Sequence, residues 1–306
     1  MCKRLVFVCL VLAVLHIPEQ VHGQFTDART YDNAPVGVNQ LELDYGYGRT
    51  NTSVDTSLII VGAKLNLNQG TVDYTRYFSA FHRMAWFKAG VPLASLEGSV
   101  NGTKIEASRT GAGDSSYQVA MLLKGGPALS VQQFADYKQA TTVAVSLTVT
   151  APTGEYNSRR LLNLGGDRWL FKPELAVSYP FGPERKWEVD AYVNGSFFTN
   201  DTSFHGGEVL RQQALPGVEG HLSYSFTKNL WVSVDTRYSF RGDTFVDGVD
   251  QHNPQQNFIL GSEANISLNP RNSLVFEFAK ALVHQNGPDQ KGFVVKYIYS
   301  WGKGYR

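Results

Sequence analysis

The feature that most restricts this chain is a two-residue alternation of apolar and polar side chains that keeps returning over long stretches. In Leu41-Glu42-Leu43-Asp44-Tyr45-Gly46-Tyr47 the odd positions are apolar and the even ones polar or small. Ile59, Val61, Ala63, Leu65 and Leu67 alternate with Ile60, Gly62, Lys64 and Asn66. The same period runs through 84–91, 115–123, 141–151, 169–179, 186–199, 218–226, 230–240, 258–268, 272–280 and 292–301, which makes twelve segments. A period of two marks strands with one apolar face, and no stretch sustains the 3.6-residue period of an amphipathic helix. Most of the runs exceed the ~5–6 residues usual in globular sheets and match the ~9–11 that carry a tilted strand across a bilayer.

The connections follow a rule of their own. Residues 181–185, 227–229 and 269–271 make tight turns, whereas 152–168, 200–217, 242–257 and 281–291 are long and polar. Short turns alternating with long loops characterise an outer-membrane barrel, with turns on the periplasmic side and loops outside. Lipid cannot satisfy an open strand edge, so the sheet must close. The reading is an all-β transmembrane antiparallel barrel of about twelve strands, within a range of ten to fourteen. Two periplasmic connections, 68–83 and 124–139, are expected to be longer than the rest, and 127–139 has room for a short helix with Phe134 as its apolar contact.

Upstream of the barrel, Lys3 and Arg4 precede an apolar run from Leu5 to Leu15, and Val21-His22-Gly23 offers a small-residue cleavage site. Residues 1–23 therefore read as a secretory signal peptide, the apolar run being too short for a membrane helix, which needs ~20 residues. Residues 24–38 then form an N-terminal periplasmic segment and 39–306 the barrel. Both cysteines, Cys2 and Cys9, fall in the signal segment, so the exported chain would carry no disulfide and no thiolate chemistry. Charge is balanced, 28 Lys+Arg against 27 Asp+Glu, which leaves no basic footprint for nucleic acid. With 12% aromatic and 18% charged residues, the chain is also far from a disordered composition.

Aromatic rings gather at segment ends. Trp169, Trp187 and Trp231 open segments, Trp301 closes the last, and Tyr179, Phe181, Phe226, Tyr297 and Tyr299 join them. Such rings are expected to form headgroup-level girdles. Only Trp86 lies within a segment. With apolar positions facing lipid, the lumen-lining candidates are Glu42, Asp44, Lys64, Lys88, Lys172, Glu174, Glu188, Asp190, Glu219, His221, Asp235, Arg237, Glu263, Glu277 and Lys296. Nine carboxylates against five Lys/Arg make this face acidic. It could line a pore favouring cations or polar-edged solutes, or knit itself into ion pairs that fill a narrow barrel.

Among the outer loops, Glu155, Tyr156, Arg159, Arg160, Asp167 and Arg168 crowd one segment, where arginine forks suit carboxylates or the phosphates of lipopolysaccharide. Asp243, Asp247 and Asp250, and the pair His205 and Glu208, are weaker hints of a cation site. Catalysis is not expected. No Gly-x-Ser-x-Gly or His-Glu-x-x-His motif occurs, and His221, within a segment, points inward. No cofactor is expected either.

Several strings resemble one bacterial outer-membrane family, known as "MetA-pathway of phenol degradation" proteins. They are Gly113-Asp114, Leu123-Lys124-Gly125-Gly126-Pro127-Ala128-Leu129-Ser130, Ala151-Pro152-Thr153-Gly154-Glu155-Tyr156 and Leu162-Asn163-Leu164-Gly165-Gly166-Asp167-Arg168-Trp169. Phe171-Lys172-Pro173-Glu174, Leu230-Trp231-Val232-Ser233 and Tyr299-Ser300-Trp301-Gly302 complete the likeness, which is weakest before residue 110. The resemblance implies a transporter-like barrel in a Gram-negative outer membrane, passing small hydrophobic or aromatic compounds, with no catalytic residues. A non-conducting structural or adhesive barrel acting through its outer loops is the alternative. Expected partners are outer-membrane lipid and lipopolysaccharide, the barrel-assembly machinery and the small solute. Arg306 after Tyr305 departs from the aromatic terminus usual in such barrels.

Overall fold

A computed structural model describes residues 26–52, 60–100, 108–160 and 162–304. The expected signal peptide and Arg306 lie outside the described residues.

The strands are, in chain order, β1 (Val38–Thr50), β2 (Ala63–Ala80), β3 (Arg83–Val100), β4 (Arg109–Ala112), β5 (Ser115–Lys124), β6 (Thr142–Ala151), β7 (Leu170–Phe181) and β8 (Trp187–Phe198). Then come β9 (Asp201–Phe204), β10 (Glu208–Gln212), β11 (Leu215–Thr227), β12 (Leu230–Arg241), β13 (Thr244–Val246) and β14 (Val249–Asp250). The last three are β15 (Gln255–Asn269), β16 (Asn272–Gln285) and β17 (Lys291–Gly302). Antiparallel pairing runs β2-β1-β17-β16-β15-β12-β11-β8-β7-β6-β5-β3, and β3 returns to β2. The result is a closed barrel of twelve staves. First and last strands meet in register, Leu41 opposite Tyr299 and Tyr47 opposite Phe293, so no edge is left for lipid to solvate.

One stave is interrupted. β3 pairs with β5 from Ala85 to Gly90 and with β4 from Leu93 to Leu96, the break falling at Gly113-Asp114. Outside, β9, β10, β13 and β14 form a separate four-stranded sheet from the β8–β11 and β12–β15 loops.

Two expectations about the strands need correction. Residues 68–83 are not a periplasmic connection. β2 and β3 pair without interruption from Ala63 opposite Val100 to Ala80 opposite Arg83, leaving Phe81 and His82 as a two-residue turn. Both adopt positive φ, 51° and 60°, as a tight hairpin demands, without the Gly or Asn that normally announces one. By contrast, 125–141 is a genuine long connection. It holds the short helix α1 (Val131–Phe134), capped by Ser130 and Gln133, with Phe134 stacked on Tyr137.

The second correction concerns which face is apolar. On most staves apolar residues point out to lipid, as with Val193 (58% exposed) and Val234 (56%). The lower parts of β2 and β3 obey this, with Val72, Tyr74, Phe87, Val91 and Leu93 outward and Asp73 and Thr75 buried inside. Above them the pattern inverts. Ala63, Leu65, Leu67, Ala94 and Leu96 are buried inside the barrel while Lys64 and Glu97 are exposed outside. Lys64 is therefore not a lumen residue. At 18 residues each, β2 and β3 are far longer than the ~9–11 a bilayer needs. Their outer halves stand in water, where the hydrophobic effect turns apolar groups inward.

Candidate functional site

The lumen contains a segment of the chain itself. Residues 24–38 were expected in the periplasm, yet from Thr26 to Asn33 they lie inside the barrel as a strap bound to the wall. Backbone N–H groups of Thr26, Ala28 and Arg29 donate to Glu219 (2.7 Å), Glu263 (3.2 Å) and Asp190 (3.2 Å). The physical reason is the surplus of wall carboxylates, which need donors that the wall lysines alone do not supply. The strap adds charged ties of both signs as well. Arg29 donates to Ser223 and Ser225 and lies 4.9 Å from the ring centre of Trp231, while Asp27 pairs with Lys296 at 2.6 Å. Trp231 thus belongs to the inside of the barrel and not to a girdle. Trp187 and Tyr179 do project outward.

Tyr31 anchors the strap. Its hydroxyl bonds to Glu174 (2.5 Å) and Ser146 (2.8 Å), and its ring packs edge-on against Tyr192 (5.1 Å) and beside Trp86 (5.5 Å). Met84, Ala120, Leu122, Ala144 and Ala176 complete this buried apolar layer. The layer joins the strap to the inner faces of β3, β5, β6, β7 and β8. Sequence reading missed it, because inward apolar residues are out of place in a polar-lined barrel. Trp86, alone in mid-segment, was the available signal.

The strap is also latched at the periplasmic end. Val36 donates to the Leu129 carbonyl, Asn33 to that of Pro127, and Gln139 to Asp32 at 2.6 Å. The long connection carrying α1 is therefore the latch that holds the strap in place. Burial and then the negative charge of Asp190 push the Asp32 carboxyl from an ordinary 3.8 up to about 6.

The other inward candidates form local networks. Lys88 bonds Glu42 (3.0 Å) and reaches Asp73 (3.6 Å), with Asp44 in the same cluster. Lys172 lies between Glu174 (3.4 Å) and Glu219 (3.5 Å), and Arg237 also meets Glu219 (3.5 Å). Asn194 bridges both carboxylates at 2.9 Å. His221 is held by Asp235 at 2.8 Å, itself bonded by Ser233. Glu277 pairs with Lys296, and Glu188 is buried on the inner face.

Above the polar lumen the outer-loop residues converge on the broken stave. Asp114 accepts from the backbone N–H of Gly154 and of Gly166, both at 2.8 Å, folding the 152–168 loop over the break. Glu155 donates its N–H to the Ala112 carbonyl, and its carboxylate lies against Gly111, where a Cβ would push it aside. Tyr156 donates to Asp201 (2.7 Å), and burial, then this bond, raises its hydroxyl pKa. Asp167 accepts from Ser203, and Arg168 is buried over the Phe198 ring at 4.3 Å. These last two are structural ties. Arg159 and Arg160 remain exposed. Leu162 and Leu164 drop into the barrel onto Leu65, Leu67 and Leu96, packing a buried apolar cluster beneath the loop. Asp247 accepts from Val209, Asp250 from His252, and His205 pairs with Glu208 at 3.4 Å, all within the outer sheet and its turns.

A closed twelve-stave barrel with a polar interior and an apolar outer belt is the architecture of an outer-membrane-type β-barrel. The family described as "Putative MetA-pathway of phenol degradation" matches residues 38–297, and the chain belongs to it. Among solved structures, the fold is similar to the COG4313 outer membrane channel from Pseudomonas putida F1, with TM-score 0.77 and 19% identity over 90% of this chain and 100% of that one. It is also similar to the β domain of the Bordetella autotransporter BrkA, with TM-score 0.52 and 10% identity over 87% and 100%. No curated protein matches the chain.

Proposed function

We propose that this protein is an outer-membrane channel for small hydrophobic or aromatic compounds, held closed by its own N-terminal strap. The observation that carries this reading is the strap itself. A barrel acting only as a scaffold for loops needs no peptide bound through Tyr31 to the centre of its lumen, whereas a channel needs a closure that can be released. The small cavity beside Leu162 and Leu164, above the buried cluster of Leu65, Leu67 and Leu96, supports the substrate class, because it offers apolar solutes a favourable environment before the polar lumen. Family membership and the channel-type fold support the same reading.

The second reading, a non-conducting barrel that works through its outer loops, is favoured by the burial of the packed Tyr31, Trp86 and Tyr192 layer. Uptake separates the two. A strain lacking the protein, supplied with phenol, toluene or benzoate at low concentration, should accumulate at least one of them more slowly than the complemented strain. Equal accumulation across the panel contradicts the channel reading.

A further inference from the structure

Beneath the 152–168 loop lies a cavity of about 180 Å³ lined by Arg109, Glu155, Tyr156, Arg160, Leu162 and Leu164. Its volume suits a single ring, since a cavity of ~150 Å³ is enough to admit benzene. Leu162 and Leu164, 2% and 1% exposed, supply an apolar floor backed by Leu65, Leu67 and Leu96, and Tyr156 adds an aromatic wall.

The polar side is built differently. Arg109 stands opposite Leu96 on the paired strand and so faces the barrel interior, and its buried Nε has no hydrogen-bond partner among the described residues. Arg109 lines the cavity, so its guanidinium can offer a bound carboxylate charge-assisted hydrogen bonds. Arg160 brings a second guanidinium from the loop. Against these two charges stands one carboxylate, Glu155, tied to the broken stave through its N–H on Ala112. The cavity therefore carries an excess of one positive charge, which matches a monoanion better than a phosphate dianion.

We propose that this cavity is a binding site for a one-ring aromatic monocarboxylate, its ring on Leu162 and Leu164 and its carboxylate between Arg109 and Arg160. The site rests on the channel reading, as the place where a solute is captured outside the membrane before the strap yields.

Titration calorimetry on the full chain in detergent tests it, with benzoate, uncharged benzyl alcohol and inorganic phosphate as probes. Benzoate should bind saturably at one site, and benzyl alcohol at least tenfold more weakly. Arg109→Gln and Arg160→Gln should each weaken benzoate about tenfold or more, with heat-modifiable gel mobility showing that the barrel remains folded. Absence of saturable benzoate binding, unchanged affinity in both variants, or phosphate binding tighter than benzoate each overturns the site. Benzoate flux into liposomes, measured in parallel, keeps the two proposals apart. Binding without flux supports the site and counts against the channel, and flux without binding does the reverse.

Discussion

The phenol of Tyr31 donates a 2.5 Å hydrogen bond to the carboxylate of Glu174, 143 residues away in sequence, and so fastens the N-terminal strap to the middle of the barrel wall. The bond is charge-assisted and buried, and the same carboxylate also accepts from Thr26 and Asn194. Glu174 is thus the point where strap and wall share one network.

Tyr31→Ala should loosen the strap without unfolding the barrel, whose wall keeps its own ladder of hydrogen bonds. Losing the ring and its contacts with Trp86 and Tyr192 should cost the docked strap ~3–5 kcal/mol, against ~1–3 kcal/mol for Tyr31→Phe, which removes only the hydroxyl. Open events in planar bilayers should rise in the order wild type, Tyr31→Phe, Tyr31→Ala. An unchanged open frequency in the alanine variant would show that Tyr31 does not hold the closure.

Acidity should also act through the strap. Asp32 has a pKa raised to about 6 in the docked strap, so docking is favoured by protonation. That contribution is complete below an ordinary 3.8 and is lost as pH rises through 6. Open events should accordingly be more frequent at pH 7 than at pH 4, and Asp32→Asn should flatten the difference. A closure that tightens as pH rises contradicts this assignment.

Asp114 is the clamp of the outer loop. Asp114→Ala removes the acceptor of two backbone N–H groups, a loss of ~1.5–3 kcal/mol for each charged hydrogen bond. Gly165→Ala should act at the same place, because its Cβ would come within 2.9 Å of Asp114 Oδ1 and of the Gly154 backbone. Both variants should expose the 152–168 loop to added protease on intact cells, while the barrel core stays resistant. A loop as resistant as in the wild type would show that the clamp is not what holds it.

The inverted pattern on β2 sets where the membrane ends. Val234→Lys, on the lipid-facing side of β12, should lower folding stability in vesicles by ~2–4 kcal/mol, whereas Asn66→Lys, beside the exposed Lys64, should change it by ~0–1 kcal/mol. Denaturant titration in phospholipid vesicles reads both. Equal penalties would place the outer half of β2 within the bilayer.

These relationships also explain what could be read from sequence. Twelve staves were legible because lipid enforces one apolar face, as at Leu43, Val193 and Val234, and because turns such as 227–229 are short. The β2–β3 hairpin was not, since Phe81-His82 carries no turn residue and the inverted outer halves place Leu65 and Leu67 where lipid-facing residues were expected. The lumen carboxylates were visible as inward polar positions, but their bonding to the strap was not. Thr26, Ala28 and Arg29 engage them through backbone N–H, which has no sequence signature. Asp114, Gly154 and Gly166 stood within the family-like strings, yet only their convergence in space shows that they form one clamp.

Single-channel recording of the chain with residues 26–36 deleted, beside the intact chain, tests the central claim most directly. If the strap is the closure, the intact protein gives rare, brief steps and the deletion gives long-lived, larger ones. Identical conductance in the two, with both barrels folded, would contradict it.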